Sequence, residues 1–436
     1  MDPVSIGLAG CVLVVLLLSL GMPIAFLMMF VGFLGISVLS STDAALGVLA
    51  RTVYEIASNY SYTVIPLFVL MGGLANQAGI TEELYKTFDK WFRGLPGGLG
   101  IATIAACAGF AAVCGSSVAA TAAVGNIAVP EMKRFNYHPR LAGGIVVAGG
   151  TLSFLIPPSL AFVVYGMLTQ QSIGKLLISG IFPGVLLSVA YIIAILVQVK
   201  VNPSLAPMLK SEAPFPEKLR AIKGVLDTIF VFLIVIGGIY FGFINPTEAG
   251  AVGVSALFIL SVMKRRLTLK SLFYSLLEMA RISSFVLFLV AGATVFSYFL
   301  ALSTIPAKVS GWIVSLPIPR YSVLAMIIFI YLVLGCFLDA VSMMVLTLPV
   351  IFPVVISLGF DPIWFGVVAV LMMEAGLITP PVGLNVYTLA GILGDIPAME
   401  IFKGAIPFLI AIFSVVLLIT LFPQITLFLP GLMFRS

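Results

Sequence analysis

The chain has 436 residues, of which 61% are hydrophobic and only 9% charged, with a mean hydropathy of +1.23. No soluble domain has that balance, so the sequence reads as an all-α polytopic membrane protein. The formal charge of +5 is small and points to cytoplasmic lysine and arginine, not to nucleic acid.

The residue inventory excludes several enzyme classes. One histidine, His138, rules out HExxH and any multi-histidine metal site, and there is no GxxxxGK[ST] stretch for P-loop hydrolysis. No GxSxG and no paired aspartates occur within the apolar segments, so no catalytic residue is proposed. Cys11, Cys107, Cys114 and Cys336 form no CxxC or metal spacing and read as membrane-buried thiols. The start of the chain lacks a basic n-region and a cleavage site, so its apolar run reads as a first transmembrane segment.

In chain order, apolar runs near 4–20, 24–40, 61–79, 141–170 and 175–199 predict crossings, with 4–40 divided at Gly21–Pro23. "TEEL" opens a short amphipathic helix with Lys86, Lys90 and Arg93. It is expected to lie on lipid at the inner surface, with a partner contact as the lesser option. Residues 96–132 are apolar but interrupted by Gly115-Ser116-Ser117, and each arm is short for a crossing. A re-entrant hairpin fits, with both basic ends (Lys86, Lys90 and Arg93 before; Lys133, Arg134 and Arg140 after) in the cytoplasm. "LIPPS" then breaks the 141–170 helix, because proline removes a donor and clashes one turn back. In hydrocarbon the freed groups need partners or a cavity.

The pattern then repeats. "WFRGLP" at Trp91 returns as "WIVSLP" at Trp312, 221 residues on (312 − 91). "LIPPS" returns as "LITPPVG" 223 on (380 − 157), and "GMPIAF" as "INPTEA", also 223 on (246 − 23). "CGSSVAAT" and "GCFLDAVS" occupy the matching hairpin tips. Two halves, about 1–215 and 220–436, join through a proline-rich polar stretch carrying Lys210, Lys218, Arg220 and Lys223. Five crossings in the first half invert the second relative to it, and "KRR" at 264–266 agrees.

Inverted repeats with broken helices place a binding site near the midplane. Half-helix N-termini suit an anion, while unwound carbonyls and hydroxyls suit a small cation such as Na⁺. Asp339, in an apolar run, is a candidate cation or proton site, or else a helix brace. Ser116 and Ser117 are candidate ligands or caps for the second hairpin arm. Thr379 and Ser159 offer hydroxyls inside the breaks, and Asn385 could touch solute. Glu374 is open between a structural partner and coupling; Glu248 reads as a cap. Gly115, Gly335, Gly376 and Gly383 read as close-approach positions.

Five stretches in order, "CGSSVAATAAVGNIAVPEM", "GTLSFLIPPSLAFVVYG", "NPTEAGAVG", "GCFLDAVSMMVLTLPVIFPV" and "GLITPPVGLNVY", resemble the large membrane subunit of tripartite ATP-independent periplasmic (TRAP) transporters. The similarity runs over nearly the whole chain; Ser153 stands where a glycine is expected. The resemblance implies a bacterial inner-membrane protein working with a small four-helix membrane subunit and a periplasmic solute-binding protein. It implies uptake of organic acids such as C4-dicarboxylates or sialic acid, driven by Na⁺, by an elevator mechanism. It implies scaffold at 1–95, 171–320 (with the linker at about 200–223) and 391–436, the last a single helix, and a transport domain of 96–170 and 321–390. Carried over, Na⁺ falls at Ser116, Ser117, Gly335, Asp339, Gly376 and Thr379. Solute falls at Gly115, Pro157, Pro158, Ser159, Pro380, Pro381, Gly383 and Asn385. The residues alone do not separate Na⁺ from H⁺. A stand-alone carboxylate carrier is the rival reading; a channel lacks its polar stripe, and a scaffold protein has no need of paired breaks.

Overall fold

The structure is a computed structural model describing residues 2–209 and 214–433. Lys210, expected in the join between halves, lies outside the described residues. All regular structure among the described residues is helical. The first half comprises α1 (Pro3–Ser19), α2 (Ile24–Leu39), α3 (Thr42–Ser58), α4 (Val64–Gln77), α5 (Ile80–Phe92), α6 (Gly98–Ala111), α7 (Ser117–Arg134), α8 (Pro139–Leu155), α9 (Leu160–Thr169), α10 (Ile173–Ser179) and α11 (Ile181–Val201). The second comprises α12 (Phe215–Ala221), α13 (Lys223–Phe232), α14 (Gly238–Tyr240), α15 (Pro246–Met263), α16 (Leu269–Leu302), α17 (Ile305–Ser315), α18 (Arg320–Gly335), α19 (Ala340–Ser357), α20 (Pro362–Leu377), α21 (Leu384–Leu393), α22 (Ala398–Leu421) and α23 (Gln424–Leu432).

Six helices are long and apolar enough to cross a bilayer, or eight if two bent pairs each count as one span. One bent pair joins α8 and α9 at 42°, the other α4 and α5 at 60°. The protein is therefore multi-pass.

Local chemistry sets the boundaries. Gly21, at φ 81°, and Pro23 separate α1 from α2, as the sequence predicts. Asn245 and Glu248 form a capping box at the start of α15, with reciprocal bonds of 2.9 and 2.8 Å. Pro157–Pro158 ends α8, and Ser159 caps α9. Pro380–Pro381 follows α20, and Gly383, at φ 50°, opens α21. Both Pro-Pro bonds are cis.

Elements recur in register. α7 and α19 both have 18 residues and start 223 apart (340 − 117), as do the starts of α8 and α20 (362 − 139). α8 and α20 are apolar all round and buried from Leu141 to Leu155 and from Ile363 to Leu377, which makes them the inner pillars. Arg140, starting α8, donates to the Lys403 carbonyl near the start of α22 at 3.1 Å. A Cβ on Gly144 would fall 2.3 Å from the Gly404 carbonyl, so these helices touch backbone to backbone. Trp364, starting α20, donates from Nε1 to the Ile419 carbonyl near the end of α22 at 2.8 Å. The starts of the two pillars are thus tied to opposite ends of α22.

Three features depart from the sequence reading. Helix α3 has no predicted counterpart: Ser41 caps it, and Asp43, Arg51 and Glu55 dilute its apolar pattern. The C-terminal segment is two helices, α22 and α23, divided at Phe422–Pro423. The amphipathic helix α5 turns its apolar side, including Ile80, Leu84 and Tyr85, to protein and not to lipid, against α6 and α13. Its acidic residues reach the second half: Lys264 lies 2.5 Å from Glu83, and Arg266 3.3 Å from Glu82.

Candidate functional site

Each half builds one hairpin and docks it on its own helix break. In the first half the tip between α6 and α7 meets the α8–α9 break. The Leu160 N–H donates to the Gly115 carbonyl at 3.4 Å, and a Cβ on Gly115 would lie 2.9 Å from the Pro158 oxygen. Glycine at 115 permits this approach. Ser116 accepts from the Ala119 N–H at 3.3 Å and so caps α7. Ser159 accepts from the Phe162 N–H at 3.3 Å and donates to the Phe154 carbonyl. Pro157, Pro158 and Ser159 are all buried.

In the second half the tip between α18 and α19 meets the α20–α21 break. The Val382 N–H donates to the Cys336 carbonyl at 3.1 Å, and a Cβ on Gly376 would stand 2.5 Å from the Gly335 backbone. Asp339 accepts from the Val341 and Ser342 N–H groups, both at 3.1 Å, and caps α19. One carboxylate oxygen carries both bonds. The Thr379 hydroxyl donates to the Ala375 carbonyl at 2.6 Å. Pro380 and Pro381 are exposed, so this break is open where the first is sealed.

Hydrogen bonds join the two units: Tyr165 of α9 donates to the Pro362 carbonyl at the start of α20 at 2.7 Å, and Asn385 of α21 reaches α7 and α8. Asn385 donates from Nδ2 to the Ser117 hydroxyl at 2.7 Å, and lies 3.4 Å from the Val147 carbonyl. Both side chains are fully buried. On the three helices that meet here, several buried oxygens have no hydrogen-bond partner among the described residues: Asn385 Oδ1 on α21, Thr121 Oγ1 on α7 and Ser153 Oγ on α8. Ser153, which departs from the expected glycine, therefore adds an orphan hydroxyl to the core. Buried polar groups are normally paired, so each orphan needs an explanation. An all-oxygen set of hydroxyls, amide oxygen and carbonyls suits a hard cation. Glu374 is fully buried, and neither carboxyl oxygen has a partner among the described residues. The structural bond open to it in the sequence is not made.

A cavity of about 200 Å³ lies beside the first hairpin, bounded by α4 and α16 on one wall and by α7 on the other. Gly115 and Ser116 form part of its lining, with Asn76, Asn126 and Glu278. Asn76 closes α4 just before α5, and Asn126 stands two turns before Lys133. The cavity therefore lies toward the basic end of the molecule. The sequence reading missed Asn76, Asn126 and Glu278. The rule that singled out Asp339, a charge inside a long apolar helix, applies equally to Glu278 in the 34-residue α16.

Comparison with known proteins decides the family. The family "Tripartite ATP-independent periplasmic transporter, DctM component" matches residues 11–425. The chain belongs to the family of TRAP transporter large membrane subunits. It is 34% identical to a C4-dicarboxylate TRAP large permease of Pseudomonas aeruginosa, over 88% of this chain and 89% of that protein. It is 32% identical to a sialic acid TRAP large permease of Vibrio cholerae, over 95% and 96%. It is 30% identical to a 2,3-diketo-L-gulonate TRAP large permease of Escherichia coli, over 94% and 95%. The fold is similar to that of the YdaH transporter of Alcanivorax borkumensis, with a TM-score of 0.63 at 15% identity, covering 88% of this chain and 90% of that one. As a TRAP large subunit this protein sits in the inner membrane and serves TRAP-type solute uptake. The transporter family fits a site built of helix breaks.

Proposed function

We propose that this chain carries an organic acid anion, of the sialic acid or C4-dicarboxylate type, into the cell under a Na⁺ gradient. A periplasmic solute-binding protein delivers the acid, and a small four-helix membrane subunit completes the membrane complex. The proposed moving body is the two hairpin–break units, about 96–170 and 321–390, arranged as inverted repeats that slide as an elevator against the remaining helices. The observation that carries this reading is the buried Asn385–Ser117 bond, which makes one body of two units 268 residues apart in sequence. The orphan oxygens of α7, α8 and α21 supply coordination for a dehydrated Na⁺, together with Asp339, Thr379 and the carbonyls of Gly335 and Gly376. Helix N-termini at the tips and breaks receive the carboxylate, since the apolar segments there offer no basic side chain. The basic residues flanking the first hairpin (Lys86, Lys90 and Arg93 before it; Lys133, Arg134 and Arg140 after it) assign the base of that hairpin to the cytoplasm.

Uptake into proteoliposomes holding this chain and the small subunit tests the reading. Labelled sialic acid and succinate are offered with and without the matching binding protein, under an inward Na⁺ gradient. Uptake that needs both binding protein and Na⁺ is expected. Uptake without the binding protein makes the chain a stand-alone carrier, and uptake indifferent to Na⁺ removes the coupling ion.

A further inference from the structure

The cavity beside the first hairpin tip has a charge pattern that the uptake reading does not use. Among its lining side chains Glu278 is the one charged group, and none is basic. Gly115 and Ser116 line the transport side, while Glu278 and Ile282 line the α16 side. Glu278 is exposed, lines the cavity and makes no ion pair among the described residues. Arg281, three residues further along α16, does not line the cavity. A carboxylate accepts hydrogen bonds and donates none.

We propose that Glu278 is a specificity-determining residue that favours a monocarboxylate bearing hydroxyl or ammonium donors over a dicarboxylate. This rests on the uptake reading and narrows its solute class. One carboxylate of the solute takes the N-terminal end of α7 at the hairpin tip, where free N–H groups and the helix dipole point at it. The far end of the solute then faces the α16 wall. A second carboxylate there meets the like charge of Glu278 in a confined cavity, where screening is weaker than in bulk water. A hydroxyl or ammonium group instead donates to it. Asn76 and Asn126 supply further donors and acceptors to a polyhydroxylated chain without adding charge.

The test reads the cavity directly. Ala122, which lines it, becomes the single cysteine (A122C, the four native cysteines replaced by alanine) in the chain purified with its small subunit. Ala123→Cys, also on the lining, serves if that variant does not fold. The cysteine is modified with a cationic and with an anionic methanethiosulfonate of similar size. The cationic reagent is expected to react about tenfold faster, and Glu278→Gln is expected to bring the ratio close to one. Protection from a neutral methanethiosulfonate is then measured with gluconate and with succinate in Na⁺ buffer. Gluconate is expected to protect at about tenfold lower concentration than succinate, and Glu278→Gln to erase that preference. Equal reagent rates in both forms, succinate protecting as well as gluconate, or protection by neither acid would each overturn the proposal. None of these readouts requires transport, so a failure here is distinct from a failure of Na⁺- and binding-protein-dependent uptake.

Discussion

Asn385, near the start of α21, donates to Ser117, the first residue of α7, at 2.7 Å, and both side chains are fully buried. The bond links the break of the second half to the hairpin of the first. Its partners come from opposite halves of the repeat, and neither has a chemical twin at the matching position: 223 residues away stand Phe162 and Ala340.

Removing either partner leaves a buried polar group unmatched. Asn385→Ala and Ser117→Ala are each expected to cost about 1–3 kcal/mol. A double-mutant cycle on unfolding in detergent is expected to show a coupling of about 0.5–3 kcal/mol. Strict additivity would show that the two units are not joined here.

Asp339 holds the start of α19 and is also a candidate for the ion. The two roles separate by substitution. Asp339→Asn keeps an N-cap acceptor and is expected to leave stability nearly unchanged, while Asp339→Ala loses about 1 kcal/mol. Both are expected to abolish Na⁺-driven uptake. Wild-type-like uptake in the asparagine variant would confine Asp339 to capping.

The contact of Gly335 with Gly376 has no room for a methyl group. A Cβ on Gly376 would meet the Gly335 backbone at 2.5 Å, whereas one on Gly391 in α21 meets nothing within 4 Å. Gly376→Ala is expected to destabilise by about 1–3 kcal/mol and to cut uptake sharply. Gly391→Ala is expected to be neutral or to stabilise by about 0.5–1 kcal/mol. Thermal midpoints of the two variants, measured side by side, check this.

Lys133, near the end of α7, pairs with Asp395, after α21, at 2.6 Å. The hydrogen bond from Lys133 holds the Asp395 carboxyl below its usual range. A folded-state pKa below the unfolded one stabilises at higher pH. The gain is present above about pH 4 and fades as pH falls through the folded value. The midpoint difference between wild type and Asp395→Asn is therefore expected to be constant near neutrality and to vanish in acid. It should also shrink at high salt, because the pair is exposed. The exchange Lys133→Asp with Asp395→Lys is expected to restore what either change alone removes.

Much of this protein was legible residue by residue. The division at Gly21–Pro23, the Glu248 cap, both hairpin tips and both Pro-Pro breaks are local events. Each is decided by a donor that proline lacks, a φ that glycine allows or a side chain that caps its own helix. Composition alone placed the chain in a membrane. Helix α3 was hidden because its charged residues blur the apolar pattern that marks a span. What no local pattern decides is which apolar helix faces which. Lipid tails are as apolar as leucine, so many pairings of apolar faces cost nearly the same. Close backbone fit and a few polar contacts choose among them. Only the tertiary structure brought Asn385 to Ser117 and Lys133 to Asp395, sealed Pro157–Pro158 while exposing Pro380–Pro381, left Glu374 without a partner, and set Glu278 on the cavity that reaches the first hairpin tip.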